Sequence, residues 1–82
     1  MKELKVNEEF KNLIPPLTAE EKTELEKSLM LFGCRDKIVT WNGFIIDGHN
    51  RYELCIKNNI EFETLNMDYE FEDQEEVKQW II

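Results

Sequence analysis

The stretch "KIVTWNGFIID", residues 37–47, constrains this chain more than any other. Asn42-Gly43 is the dipeptide favoured in a two-residue type I′ turn, which requires positive φ at both central positions. Ile38–Trp41 on one side and Phe44–Ile46 on the other are β-branched or aromatic arms. The pattern predicts a β-hairpin. The second arm is apolar throughout, so it is expected to be the central strand, covered on both faces.

Other elements are set by local signals. Leu4 and Val6 alternate with charged residues in "KELKVN", predicting a short first strand. Phe10, Leu13 and Ile14 then belong to a connection packed on the body, and Pro15-Pro16 forces extended chain. Thr18 and Glu21 have capping-box spacing. Leu25, Leu29 and Phe32 make one apolar stripe, and Gly33 ends that helix. A second helix is expected over residues 49–58, stopping at Asn58-Asn59, with Tyr52, Cys55 and Ile56 on one face and Leu54 nearby. "FETLNMDYEF" reads as a strand with Leu65, Met67 and Tyr69 on one side. Asp73 and Glu76 cap a last helix with Val77, Trp80 and Ile81 inward. The expected order is β-α-β-β-α-β-α: an α+β fold, a small mixed β-sheet with packed helices. Trp41 and Trp80 are expected in the core or an interface.

The chain has 82 residues, enough for one small domain of residues 1–82. It ends on "QWII", an apolar helix end without a stop signal, and we expect a domain cut from a longer protein. No stretch of about 18 apolar residues is present, and "MKELKVNEEF" lacks the apolar core of a secretory signal. The expectation is a cytoplasmic protein without a membrane partner. Cys34 and Cys55 are separated in sequence and are expected to be reduced, Cys55 buried on its helix. One histidine and two separated cysteines do not make a zinc site. The net charge of −8 argues against a DNA backbone as a direct partner of this domain. With only Arg35 and Arg51 as arginines, an anion site must be local and built largely from backbone N–H groups.

Such a site is available in "IIDGHNRYELC", residues 45–55. A strand runs into Gly48 and then a helix whose first N–H groups, those of His49, Asn50 and Arg51, are unpaired. They carry a partial positive charge and can bind phosphate oxygens, with Gly48 permitting close approach. Arg51 would clamp a second oxygen; His49 and Asn50 add donors. The plain alternative is a glycine turn, with Asp47 bonding the N–H groups of its own turn. Cys34 and Arg35 precede the hairpin and would stand either at a cleft entrance or in a simple loop. Glu53 is either a metal-bridging carboxylate or part of a solvated helix face. No catalytic residue and no resident metal site is assigned.

The run from Leu13 to Ile60, "LIPPLTAEEKTELEKSLMLFGCRDKIVTWNGFIIDGHNRYELCIKNNI", resembles the N-terminal domain of ParB-like proteins, in the ParB/sulfiredoxin superfamily. The resemblance lies in a helix, a "G-x-x-x-x-I-x-V" segment from Gly33, the hairpin, and "D-G-H-x-R" opening the next helix. It implies that Gly48–Arg51 face nucleotide phosphates, with CTP or another nucleotide and Mg2+ as cofactors. It implies a phage- or plasmid-type protein of partition, replication or transcription control. DNA would be bound beyond Ile82, and the chain could form a homodimer. Where such loops carry two adjacent arginines this one has Asn50-Arg51, and no basic residue follows Pro16. Sulfiredoxin chemistry needs a cysteine directly after the glycine, where this chain has His49. The alternatives are a phosphotransferase or nuclease of the same superfamily, or an interaction module with an inert loop.

Overall fold

A computed structural model describes residues 3–82. The elements are α1 (Glu8–Asn12), α2 (Ala19–Phe32), β1 (Ile38–Trp41), β2 (Phe44–Asp47), α3 (His49–Asn58), β3 (Thr64–Asn66) and α4 (Gln74–Ile81). Over the described residues they form a small α+β domain, a mixed sheet of three strands with four helices.

Local chemistry explains most element ends. Thr18 and Glu21 close the expected capping box, each side chain accepting the other's backbone N–H. Asp73 takes the Glu76 N–H at the start of α4. Asn59 adopts the left-handed conformation after α3, and its N–H bonds Ile56 O. Asn42 and Gly43 have φ of 51° and 83°, the signature of the expected hairpin turn.

Two expectations about order are corrected. The Leu4–Val6 segment is not a strand: Lys5 makes an isolated parallel bridge to Phe44, through Lys5 N–H to Gly43 O and Ile45 N–H to Lys5 O. The connection after it contains α1, a helix of little more than one turn. Asn7 caps it by accepting from the Glu9 and Phe10 amides, and Pro15-Pro16 prevents its continuation. Phe10, fully buried, holds it in place.

The sheet order is β2-β1-β3, so β1 and not β2 is central. β1 pairs antiparallel with β2 and parallel with β3. Ile45 and Ile46 are nevertheless both fully buried. The register supplies the reason: Val39 opposes Asp47 and Thr40 opposes Ile45, leaving Ile46 as an extra residue in β2. A bulge of this kind bends the strand and re-aims the chain beyond it, here the corner at Gly48.

The core has two clusters. Phe10, Val39, Trp41, Ile46 and Val77 form one, flanked by Phe44, Met67, Phe71 and Ile81. Leu29, Leu54 and Cys55 form the other, with Leu25, Cys34, Ile60 and Phe62 against it. Each fully buried Leu, Ile or Phe contributes about 1.5–3 kcal/mol relative to exposure. Several expected stripe residues lie outside. Phe32, Ile56, Leu65, Tyr69 and Trp80 are exposed, Tyr69 completely. β3 is only three residues long and gives way to a turn, so the alternation expected through Tyr69 breaks off. Trp41 is core, whereas Trp80 packs edge-on to Phe71 at the surface. Among the described residues no helix is long and apolar enough to cross a membrane.

Candidate functional site

The bulge delivers the chain into Gly48, which has φ of 100° and ψ of 27° and caps α3. A left-handed residue here costs a non-glycine side chain about 1–2 kcal/mol. A side chain there would also crowd its neighbours, and the Arg51 guanidinium would have to shift. A Cβ at Gly48 would lie 2.8 Å from Arg51 Nη2 and 3.0 Å from Ile38 Cδ1. The corner therefore depends on glycine for both conformation and close approach.

No described side chain caps α3. Its first helical hydrogen bond runs from Tyr52 N–H to Gly48 O at 2.8 Å. The amides of His49, Asn50 and Arg51 precede that bond, so the helix's own ladder offers them no acceptor. Asp47 does not bond them, contrary to the expectation of a self-capped turn. Its carboxylate accepts from Arg51 Nη2 at 3.3 Å.

These residues open onto a cleft of about 350 Å3. Part of its lining is Asp47, Gly48, His49, Asn50 and Arg51. The rest is Ile14, Pro15, Pro16 and Leu17, with Leu25 from α2 and Lys11 and Asn12 from the end of α1. The structure thus brings together all four residues expected to face phosphate, with Asp47 beside them.

His49 is 9% exposed, and neither ring nitrogen has a hydrogen-bond partner among the described residues. Burial first, then the nearby Lys11 charge, holds its pKa below the ordinary value of 6.5, so the ring is neutral at pH 7. A neutral imidazole carries one donor and one acceptor, and a buried polar atom without a partner costs about 1–3 kcal/mol. Asn50, half-buried, makes no side-chain hydrogen bond among the described residues.

Arg51 is arranged differently from the expected outward clamp. Its guanidinium folds back over Gly48, and Nη2 donates to Lys37 O at 3.2 Å as well as to Asp47. Its Nε is buried without a partner among the described residues, and the side chain still lines the cleft. The Asp47 pair is half-exposed on the carboxylate side, where such bridges contribute about 0–1 kcal/mol.

Three expected cleft residues lie elsewhere. Cys34 packs against the Leu29–Leu54–Cys55 cluster, and its thiol donates to Asp36 O at 3.4 Å. Arg35 sits over the Phe32 ring at 5.2 Å. Glu53 pairs with Lys22 at 3.3 Å, tying α3 to α2, and borders a separate hollow of about 180 Å3 behind His49. Both cysteines are free. Burial, then the neighbouring Cys34 thiol, pushes Cys55 up to about 11, which makes it a poor nucleophile. No group of three or more His, Cys, Asp or Glu side chains among the described residues is arranged to hold a metal ion.

Sequence reasoning missed Lys11. It lines the cleft, acts electrostatically on His49 and makes no ion pair among the described residues. The available signal was its position four residues before Pro15-Pro16, which also lines the cleft.

Comparison with known proteins brings no match: no family model fits the chain, and no curated protein and no solved structure matches it.

Proposed function

We propose that this domain binds a phosphate-bearing ligand in the cleft at the N-terminus of α3, with Gly48, His49, Asn50 and Arg51 facing the oxyanion. One observation carries the reading. A histidine with nine-tenths of its surface buried, both nitrogens unpartnered among the described residues, lines a cleft at the start of a helix that no described side chain caps. The amides of residues 49–51 would take phosphate oxygens, and His49 would donate its one N–H. An anion there also competes with Asp47 for Arg51.

The resemblance to ParB-like N-terminal domains supports a nucleotide as the ligand class and a DNA-binding protein as the setting. In that reading the domain regulates rather than catalyses. The bound phosphate orders the Gly48 corner and biases how the rest of the protein assembles. With a net charge of −8, the domain leaves DNA contact to basic surfaces elsewhere.

Calorimetric titration of the chain with inorganic phosphate, pyrophosphate and CTP, with and without magnesium, tests this. The expected result is saturable binding at millimolar concentrations or below, weakened about tenfold by Arg51→Ala, the loss of one charge-assisted contact. Absence of heat with every ligand, in protein shown to be folded, would overturn the reading.

A further inference from the structure

Resting on that reading for the phosphate site, but departing from the nucleoside triphosphate that the resemblance implies, we infer that the cleft is built for a small monophosphate ester with an apolar organic group, and not for a polyphosphate. The charges around the cleft decide the phosphate count. Lys11 and Arg51 are cationic, Asp47 is anionic, and His49 is neutral at pH 7. Counted over the lining side chains alone, the balance is one positive charge, with Glu8 a further anion near His49, on a domain whose net charge is −8. A phosphate monoester carries about 1.5–2 negative charges at neutral pH. The cleft can nearly neutralise that, with the helix N-terminus adding about half a charge. Each further phosphate adds negative charge with no further cation among the described lining residues to meet it. It would also bring that charge toward Asp47, inside an anionic protein field.

The apolar lining decides the rest of the ligand. Ile14, Pro15, Pro16, Leu17 and Leu25 border the same cleft as the start of α3. Ligand pockets commonly combine such a lining with a few convergent polar groups, in volumes of about 300–1,000 Å3. The 350 Å3 here is at the small end of that range. A phosphate on the α3 amides therefore places its ester substituent against this apolar lining.

Titration with four probes tests the class: inorganic phosphate, glycerol phosphate, phenyl phosphate and tripolyphosphate. Phenyl phosphate is expected to bind about tenfold tighter than inorganic phosphate or glycerol phosphate, the gain from burying one small apolar face. Tripolyphosphate is expected to bind no tighter than inorganic phosphate. Leu17→Gln, on a half-buried loop position, should abolish the advantage of phenyl phosphate over inorganic phosphate. Tripolyphosphate binding more tightly than phenyl phosphate would overturn the monophosphate inference and leave the phosphate site standing. Equal affinity for phenyl and glycerol phosphate would overturn the role of the apolar lining. Failure of all four probes would overturn the underlying site itself.

Discussion

Arg51 Nη2 lies where the side chain of residue 48 would begin, 2.8 Å from the position a Gly48 Cβ would take. The guanidinium therefore occupies the room that glycine leaves. From there it reaches both Lys37 O and Asp47. One missing methyl group thus lets the start of α3 tie itself to the β1 approach and to the end of β2.

That relationship makes the cost of substitution at Gly48 depend on Arg51. Gly48→Ala is expected to destabilise the fold by about 2–3 kcal/mol, combining left-handed strain with displacement of the guanidinium. Gly43→Ala meets open space and should cost only the conformational part, about 1–2 kcal/mol. In an Arg51→Ala background the Gly48→Ala cost should fall toward the Gly43 value. Denaturant unfolding of the double-mutant cycle reads this directly. Additive costs would show that the two residues are not coupled.

Asp47 competes with any bound anion for Arg51 and adds negative charge to the cleft. Asp47→Asn is expected to raise inorganic phosphate affinity about three- to tenfold. Its stability should change by no more than about 1 kcal/mol, because the ion pair is partly solvated. Calorimetry and thermal unfolding on the same variant separate the two effects. Unchanged or weaker phosphate binding would contradict the competition.

His49 is the only histidine, so its ring titration is free of overlap. Its folded pKa lies below 6.5, first through burial and then through Lys11. The unfolded chain therefore takes up the imidazole proton first as pH falls. This contribution to stability is present above about 6.5 and is lost on acidification toward the folded pKa. Chemical unfolding across that window should show stability falling with pH, and His49→Gln should flatten the slope. Sulfate, whose charge stays fixed through the range, should raise the His49 pKa if it occupies the cleft. Proton NMR of the ring measures that shift.

The bulge at Ile46 is a packing requirement as well as a kink. Ile46→Ala empties a fully buried site between Val39, Trp41 and Val77, and should cost about 2–5 kcal/mol. The corner at residues 47–48 should loosen with it, visible as faster amide hydrogen exchange at residues 48–52 relative to α2. Retained protection there would separate the bulge from the site.

Local chemistry decides the parts that were legible in the sequence. Thr18–Glu21, Asn42-Gly43 and Asn58-Asn59 each mark an element end through neighbouring residues alone, and these boundaries agree with the structure. The Gly48–Arg51 grouping was legible for the same reason. Strand order was not, because docking of β3 on β1 rather than β2 is a long-range choice. Helix α1 escaped because five residues give no periodicity; only Asn7 before a buried Phe10 marks it. The inward fold of Arg51 and the contribution of Lys11 depend on elements distant in sequence meeting at one cleft. No spacing rule reaches that far.

The most direct test is an amide titration by two-dimensional NMR, adding inorganic phosphate to the intact chain. The account predicts saturable shifts largest at the Gly48, His49, Asn50 and Arg51 amides, with the His49 ring moving at the same midpoint. Saturating shifts confined to surface lysines, with residues 48–51 unmoved, would contradict it.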